Sequence, residues 1–341
     1  MELNGVNSQT NSVAIREKIY NAALRSALEP YLMAMNFVDQ ITEFTDGEKF
    51  IDIEIGNATV HDYVEGTDIL LEGLDMASRE FTINNYRQSG HYITEKFAQD
   101  SYVSAKIAAV VPAKEARALA ADLEQKIFGL QSVIQTAGSQ NVIDGLDHRY
   151  IAGYDATAAT QAYGALSLGD FAYASTALHK IGYFGPMVAI IPTYQEYAIT
   201  TSASFKNALA YQPLYERVFQ DGAITGTRFA FNIFGFDVYV SNFTPVIASE
   251  TIKALGQDDD TRDSVAATNA SLACFFANIP DMRPWRMAWR MMPKFEGNWN
   301  MYKRREEFVT VCRYGLGKGE TPNFVGVLCA NDGTSKFEVQ A

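Results

Sequence analysis

"GTRFAFNIFGFDVYVSNFTP", residues 226–245, reads as two strands hinged at Gly235. Upstream, "MVAIIP" (187–192) is a short apolar run suited to a buried strand, and Pro192 ends it. "TYQEYAIT" (193–200) then turns back into helix. "GDFAYASTALHKIG" (169–182) is a further helix, with Asp170 as its expected N-cap and Gly182 as its stop. These pieces place a compact α/β insertion over residues 140–290.

Further toward the N-terminus the periodicity changes. Pro112 suits a first helical position, and "AKEARALAADLEQKIFGLQSVIQTAG" (113–138) follows it. Ala116, Leu119, Ala120, Leu123, Ile127, Leu130 and Ile134 trace one apolar stripe, and Gly138 is the expected stop. At 1.5 Å per residue this is a rod of roughly 39 Å, long for a globular helix. From 48 to 86 the period is two. "FIDIEI" sets Ile51, Ile53 and Ile55 against Asp52 and Glu54, and "ILLEGLDMASREFTI" (69–83) is the returning strand, with Phe81 and Ile83 alternating with Thr82. The polar stretch between them makes a projecting β-hairpin tip over 56–73. Residues 13–29 read as an amphipathic helix broken at Pro30, an arm ahead of the main body. From "PWRMAWRMM" (284–292) to "FVGVLCAN" (324–331), alternating patterns predict closing strands.

The totals bound the function. A chain of 341 residues is long enough for about two domains, and 48% apolar residues can fill a core. Forty acidic against 28 basic residues give a net charge of −12, which argues against a protein whose task is gripping nucleic acid by its phosphates. Cys274, Cys312 and Cys329 lack metal-ligand spacing and read as reduced, buried thiols. No signal peptide and no run of membrane-spanning length is visible, so the expected product is soluble and unexported.

His61, His91, His148 and His179 are scattered, with no pair at helical metal-site spacing. Asp258, Asp259, Asp260 and Asp263 lack the order of a calcium loop, and "GLGKGE" (315–320) lacks phosphate-loop spacing and reads as a turn. "RPWRMAWRMM" (283–292) mixes arginine with tryptophan, as a single-strand stacking groove would. Strand alternation accounts for it more simply: Trp285, Met287, Trp289 and Met291 face one side, and Arg286 and Arg290 the other, where they can meet acidic patches on another copy. No catalytic, cofactor or metal residue emerges, so no enzyme is expected. The candidate intersubunit contacts are Asp62, Glu65, Asp68 and Glu72 on the hairpin tip, with Arg286 and Arg290.

The order of parts resembles the major capsid proteins of tailed bacteriophages, with the Hong Kong 97 fold. "GAITGTRFAFNIFGFDVYVSNFTP" (222–245) is similar to their glycine-turn passage, with Gly235, Val238, Ser241, Asn242 and Pro245 in place. "MVAIIPTYQEY" looks like their strand, proline and helix, and "YGLGKGETPNFVGVLCAN" resembles their last strand pair. The resemblance implies an α+β chain with an N-terminal arm (1–45) and an E-loop hairpin (46–90). It further implies a peripheral domain with a spine helix (91–138), an axial domain (139–290) and closing peripheral strands (291–341). It also implies self-assembly as pentamers and hexamers into an icosahedral shell around double-stranded DNA, held without sequence-specific binding. Scaffolding protein, portal protein and a possible cement protein are the implied partners, with assembly in the host cytoplasm and a final place in the virion. Some members crosslink a hairpin lysine to a neighbour's asparagine, but the tip here (56–73) contains no lysine, so crosslinking is not carried over. Two other readings remain open at this point. One is an encapsulin-like compartment, told apart by a cargo protein rather than a genome. The other is an α/β enzyme with a site in 140–290.

Overall fold

The computed structural model describes residues 33–41, 49–55, 60–62, 65–66, 68, 73, 76–100, 104–130, 142–143, 145–153, 164–202, 229–245, 250–252, 263–265, 270–280, 282–319, 323–331 and 339–340. The expected arm helix at 13–29, Glu72 and most of the acidic loop at 257–263 lie outside the described residues; Asp263 itself opens a short strand.

From Met33 a 3-10 turn (Ala34–Phe37) leads into β1 (Val38–Gln40). β2 (Lys49–Ile55), β3 (Met76–Thr82), β4 (Asn85–Thr94), α1 (Glu95–Asp100) and the long α2 (Ser104–Gly129) follow. Then come β5 (Val142–Ile143), β6 (Leu146–Asp147), β7 (Arg149–Ile151), α3 (Leu168–Lys180), β8 (Met187–Pro192) and α4 (Thr193–Thr201). β9 (Phe229–Ile233) and β10 (Phe236–Ser241) precede β11 (Glu250–Ile252), β12 (Asp263–Val265) and β13 (Ala270–Ala277). The chain closes with β14 (Trp285–Asn300), β15 (Arg305–Lys318), β16 (Phe324–Ala330) and β17 (Val339–Gln340).

Two sheets carry the architecture. One has six strands in the order β7-β16-β13-β8-β10-β9, and the other has four in the order β1-β14-β15-β4. In the first, β8, β13 and β16 are buried along their whole length, because both faces are covered. Ala189, Ile191, Phe275 and Val327 meet α3 and α4 on one side. Val188, Ile190, Leu272, Cys274 and Phe276 turn the other way, toward α2 and the four-stranded sheet. Trp285 sits in that second layer without exposed surface, edge-on to Phe128 of α2, Phe276 of β13 and Phe324 of β16.

Local chemistry explains several boundaries. Phe234 and Gly235 both have positive φ (49° and 82°), the geometry of a two-residue turn between twisted strands, and β9 and β10 pair directly across it. The Ser241 hydroxyl accepts from the Phe243 amide, and Asn242 meets the Thr193 hydroxyl, so the end of β10 is tied to the start of α4. Gln195 is fully buried; its amide donates to the carbonyls of Gly164 and Ala330 and accepts from the Leu166 amide, pinning the end of β16. The chain enters from the arm over α2, where the buried Glu124 carboxylate accepts the amides of Met33 and Ala34.

Four expectations need correction. The long helix has 26 residues but starts at Ser104, runs through Pro112 and ends at Gly129, not at Gly138. Ala105, Ala108 and Ala109 are strong helix formers, and one lost backbone bond at Pro112 does not stop the run they begin. In α3 the N-cap is Ser167, not Asp170. Asp170 lies at the third helical position, where its Oδ2 accepts from the Ser167 amide (2.8 Å) and hydroxyl (2.9 Å), a capping box. "GLGK" is the end of β15 rather than a turn. Gly319 follows, where any Cβ would strike the Arg283 carbonyl oxygen at 2.1 Å. In β14, register shifts at Trp289/Met291 and Met291/Lys294 interrupt the alternation. Trp285, Met287 and Trp289 share a face with Leu316 and Tyr314, but Met291 pairs with Arg313 and so changes sides. β14 and β15 pair within the four-stranded sheet, and β16 pairs with β13 and β7 in the six-stranded one.

Trp285→Ala is expected to lower stability by about 3–5 kcal/mol, because the hole opens where three elements meet. Urea unfolding followed by far-UV circular dichroism reads the loss as a lower midpoint.

Candidate assembly surfaces

The hairpin is built as its sequence period demands. β2 and β3 pair antiparallel from Lys49↔Thr82 to Ile55↔Met76. Seven residues per strand carry the tip roughly 23 Å beyond its root. At the root, Ile83 is buried with Ala288 of β14 and Ile41. At the tip, Val60, His61, Asp62, Glu65, Gly66 and Asp68 are all exposed, Val60 to 97%. Three of the four candidate tip carboxylates are therefore open to a partner, and Glu72 lies outside the described residues. Arg286 is half-buried and Arg290 exposed on β14, so the arginine pair is less uniform than strand alternation implied.

The four-stranded sheet has one face covered by α2 and an opposite face that is open at the β4 edge, away from the hairpin root. Arg87, Ser89 and His91 of β4 pair with Cys312, Thr310 and Phe308 of β15, on the side that receives α2. The opposite side presents Tyr86, Gln88 and Tyr92 of β4 with Val309 and Val311 of β15. Tyr86 and Tyr92 are each more than half exposed, and the Arg305 guanidinium lies 4.4 Å over the Tyr92 ring. An exposed turn, Met301–Arg304, closes the far end of the β14–β15 ribbon. There Met301 is 72% and Tyr302 fully exposed, beside Trp299 and Lys303. Arg304 holds Glu95 at 2.6 Å, and Arg305 holds Glu307 at the same distance, which keeps the Glu307 carboxyl below its usual range. The sequence reading missed this apolar end. Its signal was "NWNMYKRR", an aromatic pair with methionine where a solvated turn needs none.

The histidines do not converge. His61 is on the tip, and His148 is buried with Nδ1 3.1 Å from the Phe324 carbonyl. His179 stacks on Phe184, while His91 meets Glu115. All three cysteines are buried and free; burial raises their thiol pKa values, that of Cys312 to about 11. Among the described residues no three His, Cys, Asp or Glu side chains gather as a metal site, and no helix is long and apolar enough to cross a membrane.

No protein-family model and no curated protein matches the chain. Solved structures do. The capsid of the cyanophage P-SCSP1u is similar at a TM-score of 0.58 and 13% identity, over 88% of this chain and 89% of that one. The mature capsid of bacteriophage PhiM1 gives 0.60 and 11%, covering 88% of each chain. The cyanophage Pam1 capsid gives 0.59 and 14%, over 91% and 93%. In these three comparisons the similarity covers 88–91% of this chain and 88–93% of the other.

Replacing Met301 and Tyr302 together with serine is expected to leave unfolding within about 0.5 kcal/mol of the parent, since neither side chain packs on its own subunit. The same change should reduce association between copies, read by analytical ultracentrifugation. A large fall in stability would place these side chains in the fold instead.

Proposed function

We propose that this chain, which has the Hong Kong 97 fold of tailed-phage major capsid proteins, is the shell subunit of such a phage. It assembles as pentamers and hexamers into an icosahedral capsid around double-stranded DNA. The observation that carries this reading is coextensive similarity. Arm entry, projecting hairpin, long helix and both sheets occur in one order, matched over about nine-tenths of the length of phage capsid subunits. The exposed apolar ribbon end and the acidic hairpin tip support it, because both are surfaces a solitary chain would do better to hide or shorten.

In this reading residues 1–45 form the arm and 46–90 the E-loop. The spine helix α2 belongs with the β14–β15 ribbon from 291 onward in a peripheral domain, and 139–290 is the axial domain. β16 joins the axial part, whose sheet it completes. The tip carboxylates Asp62, Glu65 and Asp68, with Glu72, dock on a neighbouring copy, for which the β14 arginines Arg286 and Arg290 are the charge-complementary candidates. The subunit works without catalysis or cofactor. Scaffolding and portal proteins direct closure in the host cytoplasm, and a cement protein can substitute for the crosslink that the lysine-free tip does not offer. A net charge of −12 suits a lining past which DNA slides during filling.

Two outcomes follow. Replacing 57–72 with a short Gly-Ser turn should leave the circular dichroism spectrum and melting of the subunit intact, because its cores lie elsewhere. It should abolish closed shells in electron micrographs; normal shells from the trimmed chain would sink the E-loop role. Gel shifts of the unassembled subunit with duplex DNA near physiological salt should show negligible binding, whereas micromolar affinity with a steep salt slope would contradict an acidic lining.

A further inference from the structure

The face of α2 that lies on the four-stranded sheet is held by two polar cross-ties. In the first, Arg87 of β4 reaches Asp122 at 3.0 Å, and the Tyr314 hydroxyl donates to the same carboxylate at 3.4 Å. In the second, Glu115 of α2 is buried with its carboxylate fully enclosed. The Thr310 hydroxyl of β15 donates to its Oε2, and Nδ1 of His91 on β4 lies 3.2 Å from its Oε1. That second contact has ion-pair distance but not hydrogen-bond alignment, so Oε1 has no hydrogen-bond partner among the described residues. His91 is half exposed, so water reaches one end of the pair and not the other.

The two ties differ in kind. The Arg87–Asp122 tie joins two side chains that each keep about two-fifths of their surface in solvent. The enclosed Glu115 carboxyl is different, because burial penalises its charged form and it is held most easily while it keeps its proton. The charged and titratable groups around it are few. On the same side of the sheet lie Arg87 of β4 and, by strand alternation, Glu306 and Cys312 of β15. On α2, Lys114 and Arg117 point outward and Asp122 is engaged by Arg87.

We propose that His91 and Glu115 form a proton-dependent latch between β4 and α2. Its occupancy sets how firmly the outer strand of the sheet is held on the helix. Burial raises the Glu115 pKa, against the opposing effects of the Thr310 hydroxyl and of His91. The folded chain therefore keeps a proton that an unfolded glutamate releases. The latch is strongest below the ordinary glutamate pKa and weakens as pH rises through the raised one. This inference does not depend on the capsid reading.

Hydrogen–deuterium exchange of the purified full-length chain, followed from below the ordinary glutamate range (about pH 4) up to about pH 8.5 and corrected for the intrinsic rate, tests it. Protection of the 85–94 peptide should fall several-fold across that range, while the 270–277 peptide of β13 stays unchanged. Glu115→Gln, a neutral isostere that needs no proton, should make the 85–94 protection flat. His91→Gln, at a half-exposed position that folding tolerates, should keep a pH dependence but move its midpoint. Flat protection in the parent, the same slope in Glu115→Gln, or an unmoved midpoint in His91→Gln would each overturn the latch.

Discussion

Trp285 is the first residue of β14, and its indole is wedged between a helix and two strands of the other sheet. Through it the four-stranded sheet, the six-stranded sheet and α2 share one apolar layer, which also takes in Met33, Phe37 and Val38 where the arm enters. A large aromatic ring serves here because edge contacts to Phe128, Phe276 and Phe324 fix three directions at once. With that junction set, the ribbon of β14 and β15 can extend well past the core and end in an exposed turn. The hairpin can likewise leave from a small root at Ile83.

Polar groups do the aligning that apolar packing cannot. α2 turns Glu115 and Glu124 into the protein and presents Lys114 and Arg117 outward. Each buried acid has a specific receiver: the Met33 and Ala34 amides for Glu124, and Thr310 with His91 for Glu115. The arm root and the edge strand are therefore fastened to the same helix by carboxylates. Buried carboxylates are costly unless so matched, which makes them good markers of register.

The sequence disclosed what depends on local chemistry. Gly235 marked the turn between β9 and β10, the period-two runs marked the hairpin, and "MVAIIP" marked a buried strand. It did not disclose what depends on partners distant in the chain. β4 carries glycine, serine and an uneven polar pattern, and is a strand because β15 pairs with it residue by residue. β16 belongs to the six-stranded sheet because β13 receives it, which no feature of "FVGVLCA" states. The bulges in β14 are set by its pairing with β15, so the face change at Met291 was unreadable. For the assembly surfaces, the tip carboxylates were legible as a polar stretch with no core to join. The ribbon end and the His91–Glu115 contact needed the fold to bring them to the surface or together.

The central claim is that this chain closes shells with copies of itself. Electron microscopy of the concentrated, purified protein tests that most directly. The account predicts hollow icosahedral particles of uniform diameter, with pentameric and hexameric clusters resolved on their surface. Dispersed monomers at every protein and salt concentration would contradict it.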